Sequence, residues 1–584
     1  MLSNVIVRSA FHGSFVWTPE VARLGLTILA FPGGALAYRR GQHIAVEVLI
    51  DRLPPSRRAT LQAVVDWIVL EFGVAGAVLA VPAVIRGWAE QSPILGIRET
   101  WFAIPIPVAM LLIVAFAAQR LWPRPLREVA VAGVIVLAFT AVAAVFRTVL
   151  GFELLDPTGL IVVLVLLAVM LAISVPVGFA LGIGAFGYGY LSGSVPPSSV
   201  PSTMLDSVNN FVLLALPFFI FAGFIMTTGG LSRPMAEFVR MLIGRVRGGL
   251  LHVVIVSMYL FSGMSGSKLA DVAAVGSTLK DVLRQAGYEP EETAAVLAAS
   301  AAMGETVPPS IAMIVLGSIT SLSIGALFAA GLVPAALIAA CLMVIVWLRA
   351  GKFPTAATPQ WSRRVVVATT ARAIPAFILP VILVAGIVTG VATPTEVSTA
   401  AVAYGLVVAL LYRTLGLRNF WGLAIQTATM AGMILFITST ASAFSWMLAI
   451  ADVPQSIAAL LNSLPGGGWL FLLASIGAVT AMGTLLEGLP ALLIFGPLLL
   501  PVAVRVGVNP LQYGIVLIIS MGIGAFAPPL GIGAYVACSV ADADLARTTR
   551  AAAPYMIALA VGVVLIAIVP GLSLALPDAL HLAP

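Results

Sequence analysis

Residues 304–309 read Gly-Glu-Thr-Val-Pro-Pro, and residues 524–529 read Gly-Ala-Phe-Ala-Pro-Pro, both within strongly apolar sequence. These stretches belong to a longer pattern that returns without a gap 220 residues later. Its matched positions are Gly276, Gly287, Pro290, Ser300, Gly304, Pro308, Pro309 and Pro334, then Gly496, Gly507, Pro510, Ser520, Gly524, Pro528, Pro529 and Pro554. Glycine and proline fix where a backbone bends or loses a hydrogen bond, so their recurrence indicates two copies of one backbone design.

The composition is that of an integral membrane protein. Of the 584 residues 61% are hydrophobic and 9% are charged, with a mean hydropathy of +1.10, whereas soluble domains carry about 25% charged residues. The basic residues concentrate in short loops, which the positive-inside rule places in the cytoplasm. These residues are Arg39, Arg40, Arg52, Arg57, Arg58, Arg120, Arg124, Arg127, Arg349, Lys352, Arg363 and Arg364. The net charge of +6 is therefore explained by topology and does not indicate nucleic-acid binding.

Motifs of several enzyme classes are missing from the sequence. It contains no GxxxxGK[ST], HExxH or GxSxG pattern, which argues against an ATPase, a metalloprotease and an esterase. The four histidines are scattered, and Cys341 and Cys538 lie in separate apolar segments. We therefore predict neither catalytic residues nor a resident cofactor, and no disulfide framework.

The apolar segments suggest three regions. Segments at roughly 21–37, 60–85 and 101–119 fall in a first region, residues 1–127. A linking span and loop, residues 128–157, follow it. Residues 158–584 are richer in glycine and proline and contain the repeats, around 250–334 and 470–554.

Each copy contains two interruptions. The first is a polar, glycine-rich point at residues 262–267 and 483–488, flanked by runs too short to span twice, which indicates a re-entrant hairpin. The second is the Pro-Pro pair, which leaves upstream carbonyls unpaired and so predicts a discontinuous helix. The predicted fold is an all-α, multi-span membrane bundle with a two-fold internal, inverted repeat, two re-entrant hairpins and two discontinuous helices. Such duplicated, interrupted spans are typical of secondary transporters.

Oxygen atoms at these interruptions predict two cation sites. A desolvated cation is a natural partner for unpaired carbonyls, and hard cations prefer oxygen ligands. We expect sodium site 1 at Ser265, Ser267, Gly304, Val307 and Pro309. We expect sodium site 2 at Gly483, Thr484, Gly524 and Ala527, with fewer hydroxyl groups because Ala527 stands where a threonine would add a ligand. The alternative is that these small residues only allow close helix packing.

Charged residues in apolar sequence need a reason, because each costs a few kcal/mol unless it is paired or hydrated. Lys268, Asp271, Glu305 and Glu487 are the candidates for substrate contacts. Lys268 and Asp271 stand three residues apart, so they can be neighbours on one helix face. Either Lys268 meets an anionic substrate carboxylate, or the two residues form an internal ion pair that holds the hairpin.

Several motifs in fixed order resemble a known family. Residues 158–584 are similar to the large membrane subunit of tripartite ATP-independent periplasmic (TRAP) transporters. The similarity rests on FSGMSGSKLADVAAVG (261–276), VPPS (307–310), TPTE (393–396), LEGLPA (486–491) and APPLG (527–531). Residues 1–127 resemble the small membrane subunit through WTPEVAR (17–23) and RRGQHIAVE (39–47). Residues 128–150 correspond to the extra helix of fused members.

This resemblance implies an elevator-type, sodium-driven importer of a small organic anion in the bacterial inner membrane. A separate periplasmic substrate-binding protein would deliver the anion, and sodium ions would be the coupling ions. Lys268 and Glu305 stand where many family members have uncharged residues. The small-subunit region has three apolar segments where the family usually has four, so we expect that Met1 is an internal residue of a longer protein.

Two other functions are compatible with parts of this pattern. A stand-alone sodium- or proton-coupled anion symporter would need no binding protein. A channel or an intramembrane enzyme is a further alternative, although the paired broken spans and the missing catalytic motifs argue against both.

Overall fold

The structure is a computed structural model that describes residues 4, 7, 13, 15–46, 50, 53–148, 158–193, 195–230, 232–244, 246, 248–353, 362–388, 390–463, 466–486 and 488–582. Glu487, most of residues 1–14 and the loop at 149–157 therefore lie outside the described residues. Within the described ranges, eleven helices are long and apolar enough to cross a membrane. The predicted all-helical, multi-span membrane fold is confirmed.

The chain forms two compact units, and each is described by itself. The amino-terminal unit comprises Val7–Leu214 and Ala428–Ile457. Its helices are α1 (Thr18–Arg39), α2 (Pro55–Gly87), α3 (Thr100–Ala103), α4 (Pro105–Leu121), α5 (Leu126–Thr148), α6 (Thr158–Ala172), α7 (Val177–Ser192) and α8 (Ser199–Val208), followed by a 3-10 turn at Phe211–Leu214.

The hairpin unit comprises Met1–Ile6, Ala215–Thr427 and Ala458–Pro584. Its first helices are α9 (Ala215–Thr228), α10 (Ser232–Ile243), α11 (Gly249–Ser265), α12 (Lys268–Gln285), α13 (Pro290–Gly304), α14 (Ile311–Thr320) and α15 (Ile324–Leu348), with a 3-10 turn at Ala350–Lys352. There follow α16 (Arg363–Val388), α17 (Pro394–Leu411), α18 (Leu417–Ile450), α19 (Val453–Asn462), α20 (Gly467–Leu486), α21 (Leu489–Arg505), α22 (Pro510–Phe526), α23 (Ile532–Ala541), α24 (Leu545–Ile568) and α25 (Gly571–Ala579). Helix α18 begins in this unit and ends in the amino-terminal one.

In the amino-terminal unit, α2 packs along α4 and α5, and α1 packs on α4. An aromatic cluster fills the centre: the ring of Phe179 lies 5.3 Å from Tyr38, 5.5 Å from Phe72 and 5.3 Å from Phe436. The Tyr38 hydroxyl donates to the buried Asp66 carboxylate at 2.8 Å. Arg124 donates to the other oxygen of this carboxylate at 2.7 Å. The buried charge is therefore paired and hydrogen-bonded, as a carboxylate in an apolar bundle must be.

The WTPEVAR motif fixes a loop in the same unit. Glu20 accepts hydrogen bonds from the backbone N–H groups of Ile94, at 2.9 Å, and Leu95, at 2.8 Å. Arg23 pairs with Glu99 at 2.8 Å and donates to the Asn209 side chain at 2.9 Å. Polar side chains of α1 thus anchor the connection between α2 and α3.

Both predicted interruptions are confirmed as helix breaks in both copies. The glycine-rich points separate α11 from α12 and α20 from α21. The Pro-Pro pairs separate α13 from α14 and α22 from α23, and both pairs are joined by cis peptide bonds.

The repeat is a repeat of helices as well as of residues. A shift of 220 residues superimposes the ends of α11 to α15 on those of α20 to α24, with every boundary agreeing to within two residues. The same shift matches α10 with α19, and it matches residues 199–228 with α18. The first copy divides this last segment into α8, a 3-10 turn and α9, whereas α18 is continuous. The duplication therefore extends upstream of the glycine and proline pattern.

Packing within the hairpin unit is reciprocal. The first arm of each hairpin packs on the broken helix of its own copy, as α11 on α13 and α20 on α22. The second arm packs on the second half of the broken helix of the other copy, as α12 on α23 and α21 on α14. At the centre, a β-carbon on Gly522 would meet the carbonyl of Ala302, its own equivalent 220 residues earlier. Contact between equivalent residues is what a local two-fold axis requires.

Glycine permits the closest of these contacts, between α20 and α22. A β-carbon on Gly483 would stand 2.8 Å from the carbonyl oxygen of Met521 and 3.4 Å from the Cα of Gly524. Gly477, on the same helix, would meet nothing within 4 Å. The two helices approach backbone to backbone at one point only along this pair of glycines.

We predict that Gly483→Ala destabilises the protein by about 1–3 kcal/mol, because the added methyl group forces two backbones apart. Gly477→Ala is the matched control, and it should be neutral or stabilising by about 0.5–1 kcal/mol, since alanine favours the helix. The thermal unfolding midpoint in detergent measures both. Equal midpoints for the two variants would contradict the packing described here.

Candidate functional site

The first hairpin turns at three residues. Helix α11 ends at Ser265, Gly266 adopts a left-handed conformation with φ of 65°, and Ser267 is extended before α12 begins. A residue with a β-carbon is strained in the left-handed conformation, so glycine suits this turn. The turn brings the backbone of the SGMSGS segment to the end of the hairpin.

The end of the hairpin lies against the first broken helix. A β-carbon on Gly263 would stand 3.1 Å from the carbonyl oxygen of Pro308 and 3.6 Å from Val307. A β-carbon on Gly304 would collide with the Ser262 hydroxyl and stand 3.2 Å from Lys268 Cδ. The two interruptions of the first copy therefore form one site.

Hydrogen bonds at the two breaks correspond. The N–H of Val307 donates to the carbonyl of Gly304 at 3.1 Å, and the N–H of Ala527 donates to the carbonyl of Gly524 at the same distance. In the first copy the helix resumes with Ser310, whose hydroxyl accepts from the N–H of Met313 at 3.4 Å. Backbone oxygens thus converge beside the Pro-Pro pair in both copies.

The structure brings most of predicted sodium site 1 together. Gly304, Val307 and Pro309 belong to the broken segment, and Ser267 lies at the hairpin turn facing it. The carbonyl of Ser267 accepts from the N–H of Asp271 at 3.0 Å. The side chain of Ser265 lies outside the described residues. The donors are carbonyls and hydroxyls, the oxygen chemistry that suits an alkali cation.

Predicted sodium site 2 has the same construction. Gly483 and Gly524 touch through their backbones, and Gly488, with φ of 81°, lies 3.4 Å from Ala525 by the same β-carbon measure. The Thr484 hydroxyl donates to the carbonyl of Thr480 at 2.8 Å, so its lone pairs stay available to a cation. The carbonyl of Ala527 accepts from the N–H of Gly531 at 2.9 Å.

Lys268 and Asp271 are both buried and interact across one helix turn. Their ammonium and carboxylate groups lie 3.9 Å apart. The Ser262 carbonyl accepts from the Lys268 ammonium at 3.3 Å, and the Ser262 hydroxyl donates to Asp271 at 3.3 Å. The ion pair that was one of the two interpretations of these residues is thus present. Its length leaves the ammonium weakly held.

Glu305 is the third charge of this cluster. It is half-buried and interacts electrostatically with Lys268 and Asp271. Its aliphatic part lies 3.5 Å from the position of a β-carbon on Gly522, which places it beside the broken helix of the second copy. One cation and two carboxylates therefore give the site a formal charge of −1. Glu487, the fourth predicted substrate residue, lies outside the described residues.

Two contributors were missed by the sequence predictions. Ser262 links the hairpin to both charges, although only its two neighbouring serines were predicted as ligands. Gly522 admits Glu305 because it has no side chain. The signal for Ser262 was its place in the same motif, whereas nothing local marks Gly522. Within the described ranges, no group of three or more histidine, cysteine or acidic residues could hold a transition metal.

Family models match nearly the whole length of the chain. The family described as "Tripartite ATP-independent periplasmic transporter, DctM component" matches residues 164–572. The DctQ component of the same transporters matches residues 1–127.

Curated relatives share this organisation. The sialic acid TRAP transporter permease protein SiaT of Haemophilus influenzae (strain 86-028NP) is 28% identical over 99% of this chain and 96% of its own length. The isethionate TRAP transporter permease protein DctMQ of Oleidesulfovibrio alaskensis is 30% identical over 94% of this chain and 87% of its own. The C4-dicarboxylate TRAP transporter large permease protein DctM of Pseudomonas aeruginosa is 34% identical over 65% and 90%.

The two family matches and the full-length relatives agree with the motifs, with the duplicated broken helices and with the multi-span fold. The chain belongs to the tripartite ATP-independent periplasmic transporter family, with the DctQ and DctM components joined in one polypeptide.

Proposed function

We propose that this chain is the permease of a sodium-driven importer of a small organic anion in the bacterial inner membrane. It receives the anion from a separate periplasmic substrate-binding protein. The observation that carries this proposal is the contact of each hairpin with the broken helix of its own copy, which gathers uncharged oxygens in an apolar bundle. The relatives are named for sialic acid, isethionate and C4-dicarboxylates, all organic anions, which supports the substrate class.

The crossing count supports an inverted arrangement of the two copies. Each copy contributes five crossings: α6 or α16, α7 or α17, the segment at 199–228 or α18, the broken helix, and α15 or α24. A re-entrant hairpin adds none. An odd number places the second copy upside down relative to the first. The basic loops agree, since they put the start of α6 outside and the basic residues before α16 inside.

Inward movement of sodium supplies the free energy for uptake. Each charge that crosses the membrane gains about 2.3 kcal/mol per 100 mV. If more sodium charges enter than the substrate carries, accumulation is driven by voltage as well as by the sodium gradient. In this elevator scheme the hairpins and broken helices move together with the bound ions, and residues 1–127 belong to the static scaffold.

The charge cluster offers a reason why sodium and anion bind together. Without sodium, Lys268, Asp271 and Glu305 sum to −1, which repels an anion. One sodium ion at site 1 neutralises this sum, and the weakly held Lys268 can then turn to a substrate carboxylate. Coupling follows from electrostatics without a large rearrangement of the cluster.

We predict that Ser267→Ala raises the sodium concentration for half-maximal uptake roughly tenfold, the effect of losing about 1.4 kcal/mol of binding free energy. Uptake into proteoliposomes at varied sodium concentration measures it. Ser277→Ala is the matched control on the same hairpin, because Ser277 is exposed and its hydroxyl donates to the carbonyl of Ala274. An unchanged sodium requirement in both Ser265→Ala and Ser267→Ala would remove site 1.

We predict that free anion alone is not taken up, and that uptake begins when the loaded binding protein is added outside. The reason is that the permease offers the anion only a weakly held ammonium, and the binding protein raises its local concentration. Proteoliposomes with a fixed inward sodium gradient test this directly. Equal uptake with and without the binding protein would instead establish a stand-alone symporter.

We predict that Lys268→Met alone destabilises the protein by about 3 kcal/mol, because Asp271 is then buried without a cation. The double variant Lys268→Met/Asp271→Asn should recover the unfolding midpoint, since asparagine still accepts from Ser262. Substrate uptake should stay low in the double variant while its sodium requirement is kept. Recovery of normal uptake in the double variant would limit Lys268 to a structural role.

A further inference from the structure

A large polar cavity lies in the amino-terminal unit, away from the hairpins. Its volume is about 630 Å³, and it is bounded by the end of α1, the start of α2, the end of α4 and the turn between α6 and α7. All these ends belong to the face that the basic loops place in the cytoplasm. At the neighbouring turn between α4 and α5, Trp122 is 90% exposed and Leu126 is 83% exposed. An exposed tryptophan beside basic residues is typical of the level of the lipid headgroups.

The cavity is strongly cationic. Four arginines and one carboxylate line it, Arg39, Arg58, Arg120, Arg124 and Asp66, which gives a formal charge of +3. Two of the arginines already have work in the fold. Arg124 pairs with Asp66 at 2.7 Å, and Arg120 lies 3.8 Å from the same carboxylate and donates to the carbonyl of Tyr38 at 2.6 Å.

Arg39 and Arg58 are the cations that this carboxylate does not engage. The guanidinium of Arg39 lies over the ring of Phe116 at 5.3 Å, and Arg58 is half-buried in the first turn of α2. Asp66 makes its close contacts with Tyr38, Arg120 and Arg124, so it offsets the charge on the far side only. An anion is needed to balance the near side.

The remaining lining suits a ligand that is both polar and apolar. His43 is buried, and its Nε2 donates to the carbonyl of Gly34 at 2.8 Å. Burial lowers the pKa of His43 to about 4, so the ring is neutral and its Nδ1 can accept a hydrogen bond. Within the part of the chain that the structure describes, this Nδ1 has no partner. Gln62 adds an amide, and Ile50 adds an apolar wall.

We propose that this cavity binds the headgroup of an anionic phospholipid from the inner leaflet. The phosphate lies between Arg39 and Arg58, a headgroup hydroxyl donates to His43 Nδ1, and the glycerol backbone lies along the apolar wall. Basic pockets between transmembrane helices on the cytoplasmic side are suited to such headgroups, and arginine is suited to phosphate. Free inorganic phosphate shares the charged part of this chemistry but would leave the apolar wall unused.

The test uses the full-length protein, purified in a neutral detergent and titrated with dioleoyl phosphatidylglycerol. Native mass spectrometry measures lipid retained on the protein, and the unfolding midpoint measures stabilisation. Basic residues near an anionic surface contribute about 1 kcal/mol each, so Arg39→Gln/Arg58→Gln should weaken phosphatidylglycerol binding about 25-fold. The matched control is Arg57→Gln/Arg127→Gln, which removes the same charge from two exposed residues that do not line the cavity.

Each outcome decides the proposal. Equal loss of binding in both double variants would overturn it in favour of diffuse surface charge. Equal stabilisation by dioleoyl phosphatidylcholine, or by inorganic phosphate at the same concentration, would also overturn it. If Arg39→Gln/Arg58→Gln does not fold, the single variants should each lose about fivefold in affinity. Unchanged affinity in both single variants would count against the site as firmly.

Discussion

The backbone of a membrane protein must satisfy its own hydrogen bonds, because lipid offers no partners. Helices α13 and α22 break this rule at their Pro-Pro pairs, and the surrounding structure compensates for each break. Val307 and Ala527 close one last turn onto a glycine carbonyl, and a hairpin covers what remains. The cover fits only because Gly263 and Gly483 have no side chains. The same shelter that protects these carbonyls also collects them, which is why the breaks are where a cation can bind.

Duplication explains how two breaks are covered without new structural elements. In the hairpin unit, each second hairpin arm packs on the half-helix of the other copy, so neither copy can complete its site alone. The exchange extends further along the chain. In the hairpin unit α9 of the first copy packs on α17 of the second. In the amino-terminal unit α7 of the first copy packs on α18 of the second, where Gly178 and Gly184 admit Phe436 and Phe444. Both units are therefore built from reciprocal pairs of one ancestral segment.

The sequence predicted the helix breaks well and the side-chain network poorly, for physical reasons. Glycine and proline act on their own backbone, so Gly266 and the Pro-Pro pairs marked the breaks without knowledge of any partner. Partners across the fold leave no such local signal. Nothing near Glu305 shows that it reaches Gly522, more than two hundred residues away. For Lys268 and Asp271 the three-residue spacing revealed the pair, but only the structure shows Ser262 bonded to both.

Two charge clusters in this chain solve the problem of buried charge differently. Asp66 is held at close distance by a tyrosine and an arginine, so its charge is committed to the fold. At the hairpin, the 3.9 Å pair and the half-buried Glu305 leave the balance at −1 and the ammonium loosely held. A fully satisfied cluster would be more stable and would have no affinity left for ions. Incomplete compensation is thus the physical property that separates a binding site from a structural ion pair, and in the proposed cycle sodium and substrate complete it in turn.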